Sequence, residues 1–166
     1  MFRFVLAAAL ALGLSTGSAL AAEPAADGIV VDVPVALDTA KVVFNLDRPA
    51  FAGDEPVGLN FLRIMIERFA ADDTEAEIVA IFHGAFGYAL LDDAKYNEVR
   101  NWKGGNPYKA QILATIAAGV SVEECAQTMR DMGWTNADLI PGVRVNTGAN
   151  FRIVELVRNG FVQIQP

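Results

Sequence analysis

The sequence predicts an α/β fold in which a mostly parallel sheet of five strands carries helices on both faces, a three-layer α/β/α sandwich. Short apolar segments alternate along the chain with stretches of helical periodicity, an order typical of strand–helix–strand crossovers. Residues 78–82 (IVAIF) are apolar without interruption, as expected for a strand covered on both faces. In such sheets, ligands bind beyond the carboxyl ends of the strands.

The first 21 residues have the pattern of a secretory signal peptide. Arg3 precedes an apolar run over residues 4–14, and Ala19-Leu20-Ala21 supplies a small-residue cleavage site. This run is shorter than the roughly 20 apolar residues that span a membrane. We therefore expect a periplasmic protein without a membrane anchor after cleavage.

The next segment, residues 22–39, is interpreted as a linker followed by an extended edge segment that covers the core. Residues 28–37 are apolar but interrupted by Pro34, which is tolerated at the edge of a sheet and not at its centre. The folded domain is then expected to occupy residues 40–166.

The first half of this domain contains two predicted strands. Residues 42–46 (VVFNL) form the first strand and residues 77–83 (EIVAIFH) the second. A loop rich in glycine, proline and acidic residues is predicted for residues 47–57. Apolar residues that recur three or four positions apart predict an amphipathic helix over residues 59–71.

Two helices are predicted in the middle of the domain. The first covers residues 93–102. Asn106 is expected to cap the second, with Pro107 as its first residue and Gly119 at its end, because proline suits the first helical position and glycine the end.

Residues 120–124 allow two interpretations. Val120 and Val122 alternate as in a strand, whereas Ser121 and Glu124 match a capping box. We favour the strand, because a glycine that ends a helix followed by alternating valines suits a helix-to-strand connection. The remaining expected elements are a helix at 126–132, a fourth, inner strand at 143–145, a helix at 150–158 and a fifth strand at 161–164.

The composition excludes several classes of function. The 166 residues carry 13 basic and 20 acidic side chains, a net charge of −7, so nothing attracts the chain to nucleic-acid phosphates. No glycine-rich nucleotide loop occurs in the sequence, and one histidine with one cysteine is too few for a structural zinc site. We expect no cofactor and no metal ligand set.

Cys125 and His83 are the candidate reactive residues. Both end predicted strands, so they can share one edge of the sheet. The Cys125 amide lies at a predicted helix start, where N–H groups favour a thiolate, while Glu123 and Glu124 oppose it. We expect these glutamates to be solvated on opposite faces of the strand, with Glu124 the one able to approach the thiol. A buried, inert cysteine and a structural histidine are the alternatives.

Three segments of the sequence resemble the DsrE/DsrF-like family, and in particular its exported single-domain members. They are VAIFHGAFGYALLDDAKY at residues 79–96, GGNPYKAQILATIAAGVSVEECAQT at 104–128 and LIPGVRVNTGANFRIVELVRNGFVQI at 139–164. The resemblance lies in the order and spacing of His83-Gly84, Asn106-Pro107, Cys125 and Gln127. The glycine that usually follows the cysteine is Ala126 here.

This resemblance implies a five-stranded α/β/α domain that assembles as trimers or hexamers and carries sulfur on a cysteine as a persulfide. Cys125 matches the sulfur-carrying position. We expect His83 to orient the thiol or the sulfur donor, and Gly84, Asn106 and Gln127 to bind the donor. The leading hypothesis is a periplasmic sulfur carrier or sulfurtransferase-like protein whose partners are a sulfur donor or acceptor protein or a small sulfur anion.

Two other functions stay open. In the first, the protein is a non-catalytic binding or assembly module of a periplasmic sulfur or redox complex, and Cys125 is structural. In the second, His83 and Cys125 together bind a small ligand or a metal ion.

An apolar group in and beside the loop after the second strand bears on assembly. It contains Phe82, Phe86, Tyr88, Leu90 and Leu91. Either helices of the same domain or a neighbouring subunit must cover these side chains. With the ring-like assembly that the resemblance implies, we predict a homotrimer or a multiple of it.

Overall fold

A computed structural model describes residues 27–166. Ala36–Pro166 form one compact unit, and the residues up to Val35 belong to a separate one. The predicted signal peptide, residues 1–21, lies outside the described residues. Residues 27–38 form no strand, and their side chains are exposed to solvent. The extended edge segment expected within residues 22–39 is therefore not a strand, and its role as a cover for the core stays a prediction.

The core of the unit is a five-stranded sheet of β1 Thr39–Leu46, β4 Glu75–Phe82, β5 Ser121–Cys125, β6 Arg144–Asn146 and β7 Val162–Ile164. The strand order is β6-β5-β4-β1-β7, and every neighbouring pair of strands is parallel. This confirms the predicted fold class. The fourth strand of this sheet, β6, was expected inside it, but it forms one edge. Its three residues include exposed Arg144, which suits an edge.

The sheet is covered on both faces, as the sequence predicts. On one face, Phe44 and Phe82 pack with Leu59 and Ile112 from two helices. On the other face, residues one position away on the same strands, such as Val43 and Ile81, pack with the last helix. Because successive side chains of a strand point to opposite faces, strands buried on both faces need the continuous apolar sequences seen here.

The helices are α1 Val57–Ala71, α2 Asp93–Arg100, α3 Lys109–Ala117, α4 Ala126–Met132 and α5 Ala149–Arg158. All of them except α5 lie on one face of the sheet. Successive strands from β1 through β4 and β5 to β6 advance in one direction, whereas the chain from β6 to β7 returns across the whole sheet. Since crossovers between parallel strands are right-handed, α5 lies on the face opposite the other helices.

Two predicted connections contain more structure than expected. The loop at residues 47–57 contains an antiparallel hairpin of β2 Phe51–Ala52 and β3 Glu55–Pro56. The loop after β4 is a 3-10 helix, Gly84–Leu90. Phe86, Tyr88 and Leu90 of this helix are buried within the domain, and the rings of Phe86 and Tyr88 contact that of Tyr108. The domain's own helices therefore cover the apolar group, which was the first of the two expected alternatives.

None of the helices within residues 27–166 is both long and apolar enough to cross a membrane.

Candidate functional site

Two adjacent strands end at the candidate site. Phe82 of β4 pairs with Glu124 of β5, so His83 and Cys125 both lie at the carboxyl edge of the sheet, as predicted. They line one cleft of about 260 Å³. The other lining residues come from the start of the 3-10 helix, from α4 and from the start of α5: Gly84, Gln127, Thr128, Asp131, Gly148, Ala149, Asn150 and Phe151.

Cys125 is the single cysteine and carries a free thiol that is 5% exposed. Its Sγ atom accepts a hydrogen bond of 3.3 Å from the N–H of Ala149. Burial raises the pKa of this thiol. Hydrogen bonds from the N–H groups of Thr128, Ala149 and Gln127 and from the Thr128 hydroxyl act in the opposite direction, and together they hold the pKa below its ordinary value.

The N-terminal ends of two helices supply these N–H groups. Cys125 itself precedes the first residue of α4, which confirms the predicted helix start. The second helix, α5, was not connected with the thiol by sequence reasoning. Its first-turn N–H groups have no partner inside the helix and no side-chain cap, so they can stabilise negative charge in the cleft. The sequence could have indicated this contact, because the loop between β6 and α5 must lie at the same edge of the sheet as the end of β5.

The two glutamates before Cys125 point to opposite faces of the sheet, but both are buried, so the expectation that they are solvated was wrong. Arg152 of α5 binds the carboxylate of Glu123 through Nε and Nη2, with N···O distances of 3.0–3.3 Å. Glu124 has no cationic partner within residues 27–166. Burial raises the pKa of Glu124 from 4.5 to about 9. Glu124 is therefore neutral at pH 7 and adds no negative charge beside the thiol.

His83 is half-buried at the cleft wall. Its Nε2 atom lies 2.7 Å from Oδ1 of Asn45. Burial lowers the pKa of His83, while the nearby Asp47 carboxylate acts against this shift. The ring is thus neutral at pH 7 and donates its Nε2–H to Asn45, which leaves Nδ1 as an acceptor. No hydrogen bond joins His83 to Cys125 in the part of the chain that the structure describes, so His83 does not act as an imidazolium partner of the thiolate.

Gly84 is the first residue of the 3-10 helix that follows β4, and it contacts α4. Its φ of 56° lies in the left-handed region, and a Cβ atom there would lie 3.2 Å from the carbonyl oxygen of Asp47. The Gly84 N–H donates to Oγ1 of Thr128 at 2.9 Å. Gly84 therefore shapes the cleft wall through its backbone.

Asn106 does not line the cleft. It is buried, and its Nδ2 group donates to the carbonyl oxygens of Ala89 and Leu91 at 2.9 and 2.6 Å. Its Oδ1 accepts from Tyr108 N–H in a turn, and α3 begins only at Lys109, so Asn106 and Pro107 lie just before the helix that they were expected to start. The side chain of Asn106 thus secures the 3-10 helix region and is not available to a donor in the cleft.

Gln127 does line the cleft, at the start of α4. Its side-chain Nε2 donates to Asp131 Oδ1 at 2.8 Å. Of the five predicted site residues, the structure brings together His83, Gly84, Cys125 and Gln127 and leaves Asn106 apart. Thr128 and Ala149, which contact the sulfur directly, were missed by sequence reasoning.

No group of three or more histidine, cysteine, aspartate or glutamate side chains within residues 27–166 is arranged to hold a metal ion. His83 and Cys125 line the same cleft as Asp131, but these three side chains are not arranged to hold an ion together.

The chain is similar to two solved structures. One is a protein of unknown function, MTH1491 from Methanobacterium thermoautotrophicum, with a TM-score of 0.57 and 23% sequence identity over 76% of this chain and 99% of that one. The other is the ychN protein from E. coli, with a TM-score of 0.52 and 18% identity over the same shares of the two chains.

No family model matches the sequence, and no curated protein matches it either. At these levels of identity the two structures show a related fold, an α/β domain with a parallel five-stranded sheet. Membership of the DsrE/DsrF-like family stays a prediction from the sequence.

Proposed function

We propose that the protein is a sulfur carrier that holds sulfane sulfur on Cys125 as a persulfide. The observation that carries this proposal is the hydrogen bond from Ala149 N–H to the Cys125 Sγ atom at 3.3 Å, at the floor of a cleft where two helices begin. The thiolate is the reactive form of cysteine, and the lowered pKa of this thiol increases its population at neutral pH.

Loading with thiosulfate illustrates the chemistry. The Cys125 thiolate attacks the outer sulfur of thiosulfate, a new S–S bond forms, and the S–S bond of thiosulfate breaks. Sulfite leaves with the bonding electron pair, and Cys125 becomes a persulfide anion. For delivery, an acceptor thiolate attacks the outer sulfur of the persulfide, and Cys125 leaves as the thiolate with which the cycle began. No external oxidant or reductant is needed.

The cleft favours small or narrow sulfur donors. Its volume is about 260 Å³ and only 5% of Cys125 is exposed. Asn150 and Phe151, in the first turn of α5, line the cleft, and the N–H groups at a helix start suit an anionic group. The neutral His83 ring would orient the donor by hydrogen bonding and not by charge.

Mass spectrometry of the intact protein tests the proposal. After incubation with thiosulfate or polysulfide and removal of excess reagent, we expect a mass gain of whole sulfur atoms that a reducing thiol reverses. Because Cys125 is the single cysteine, Cys125→Ser is a complete control and should gain no sulfur. A wild-type protein that stays unmodified with both donors would contradict the proposal.

The predicted signal peptide at residues 1–21 leads us to propose the periplasm as the place of action. The partners would be a sulfur donor or acceptor protein or a small sulfur anion. The activity would then be a sulfurtransferase-like relay.

One observation favours the alternative of a non-catalytic assembly module. The outward face of α5 carries an apolar stripe of Phe151, Val154 and Val157, which are 80%, 59% and 46% exposed. In this alternative Cys125 is structural. Cys125→Ser would then support the same cellular function as the wild type, and the native thiol would resist alkylation.

A further inference from the structure

Glu124 is a buried acid for which the persulfide chemistry has no evident use. Its side chain is completely buried, and its Oε2 atom has no hydrogen-bond partner. Its Oε1 atom accepts the backbone N–H of Cys125 at 3.1 Å. Burial of a carboxyl group with an unpaired oxygen destabilises the folded state. The contact between Glu124 and the reactive residue therefore needs an explanation.

The surroundings of Glu124 are shaped to fit a carboxyl group. At Gly87 of the 3-10 helix, a Cβ atom would lie 2.8 Å from Oε1 and 3.2 Å from Oε2 of Glu124, and 3.1 Å from Cγ2 of Thr128. Any larger residue at position 87 would push against the carboxyl group and against the threonine that hydrogen-bonds the Cys125 sulfur. The glycine thus leaves space that the carboxyl group occupies.

Among the described residues, no cation pairs with Glu124. Glu124 lies in β5, and the elements that pack against this strand are β4, β6, α3, α4 and the 3-10 helix. Within residues 27–166, none of their titratable side chains forms an ion pair or hydrogen bond with Glu124. The titratable residues of these elements are Glu75, Glu77, Tyr88, Lys109, Arg130, Asp131 and Arg144, and His83 directly follows β4. In the part of the chain that the structure describes, Cys125 is the titratable group whose charge affects Glu124, and its thiolate favours the protonated acid.

We propose that Glu124 is a positioning residue for Cys125 that works as a protonated carboxyl group, holding the Cys125 N–H without placing a negative charge beside the sulfur. The N–H it holds lies at the turn from β5 into α4, where Cys125 has φ −77° and ψ 118°. That turn directs the sulfur toward the N–H groups of Ala149, Gln127 and Thr128. A carboxylate would hold the same N–H but would repel the thiolate.

This inference depends on the proposed function only in taking Cys125 as the reacting residue. Its test uses no sulfur donor. If the protein fails to load sulfur but the Glu124 variants behave as described below, only the proposed function is contradicted. If the protein loads sulfur but the variants behave otherwise, only this inference is contradicted.

The test compares Glu124→Gln and Glu124→Ala with the wild type by the pH dependence of Cys125 alkylation with iodoacetamide. Glutamine keeps the acceptor oxygen and cannot ionise, so the ionisation constant of the thiol should stay within about a factor of two of wild type. Alanine removes the acceptor, and the ionisation constant should fall roughly tenfold, one pH unit in the midpoint.

Other outcomes would overturn the inference. If Glu124 were ionised at neutral pH, both substitutions would lower the midpoint of thiol ionisation, because each removes a repelling charge. If Glu124 had only a packing role, both variants would share the wild-type midpoint.

Infrared spectroscopy gives a second measurement that does not depend on whether the alanine variant folds. The wild type at pH 7 should show the C=O stretching band of a protonated carboxyl group, and Glu124→Gln should lack this band. The band should disappear as the pH is raised through about 9. Absence of the band from the wild type at pH 7 would overturn the inference on its own.

Discussion

The N–H of Ala149 donates a hydrogen bond to the Sγ atom of Cys125 at 3.3 Å, which joins the first turn of α5 to the carboxyl end of β5. The two residues are 24 positions apart, and their helices lie on opposite faces of the sheet. The thiol therefore lies between two helix starts, and the N–H groups of both contribute to the lowered pKa of Cys125.

The first prediction concerns the pH dependence of stability. Folded Glu124 keeps its proton up to about pH 9, whereas an unfolded glutamate releases it near 4.5. The contribution of Glu124 to the unfolding free energy is fully present below pH 4.5. It falls by about 1.4 kcal/mol per pH unit between pH 4.5 and about 9. We therefore compare the unfolding free energy of Glu124→Gln with that of the wild type at each pH. This difference should be about 3 kcal/mol more in favour of the variant at pH 7 than below pH 4.5.

Urea denaturation at several pH values checks this prediction. Glu75→Gln is the matched control, because Glu75 is an exposed strand residue without an ion pair among the described residues, and its substitution should give no such trend. A constant difference between Glu124→Gln and wild type from pH 4.5 to 8 would contradict the prediction.

The second prediction concerns Thr128, whose hydroxyl hydrogen-bonds the Cys125 sulfur and accepts the Gly84 N–H at 2.9 Å. Thr128→Val keeps the shape of the side chain and removes both bonds. We expect the thiol pKa to rise by roughly half a unit to one unit, the equivalent of one hydrogen bond. The measurement is the pH profile of iodoacetamide alkylation.

The control for this experiment is Thr115→Val, since Thr115 is a buried threonine of α3 that does not line the cleft. It should leave the alkylation profile unchanged. Equal profiles for Thr128→Val and the wild type would show that the hydroxyl does not stabilise the thiolate.

The third prediction concerns the buried ion pair between Glu123 and Arg152. The Glu123 side chain is 4% exposed and that of Arg152 is 27% exposed, with 3.0 Å between Oε1 and Nη2. Arg152→Met leaves a buried carboxylate without its partner, and the unfolding free energy should fall by about 3 kcal/mol.

Arg63→Met is the comparison, because Arg63 and Glu67 form an ion pair on the exposed side of α1. That substitution should cost less than about 1 kcal/mol. Adding Glu123→Gln to Arg152→Met should recover part of the lost stability, and no recovery would argue against an uncompensated charge as the cause.

The fourth prediction is the homotrimer or hexamer. The apolar group that suggested assembly is covered within the domain, so the exposed stripe of Phe151, Val154 and Val157 on α5 now becomes its expected contact surface. Sedimentation equilibrium at micromolar concentration should give the mass of three or six chains. Phe151→Ser with Val154→Ser should lower that mass, and a monomeric wild type would refute the prediction.

Much of the fold could be predicted because local patterns are strong where strands are buried on both faces. Residues 78–82 read as a strand because every one of them is apolar, and the helix at 126–132 was predicted with the bounds it has. Edges were harder. Residues 143–145 have the same β-branched character as an inner strand, and only the order of strands in the sheet makes β6 an edge.

The α/β class and the shared edge of His83 and Cys125 could be inferred from the sequence alone, because both follow from periodicity and from the rule that parallel strands end together. The electrostatics of the thiol, in contrast, depend on how the chain folds. The charge of Glu124 depends on its burial, and the lowered pKa of Cys125 depends partly on Ala149, 24 residues away along the chain. Desolvation and hydrogen bonding across the sheet are properties of packing, and local sequence does not encode them.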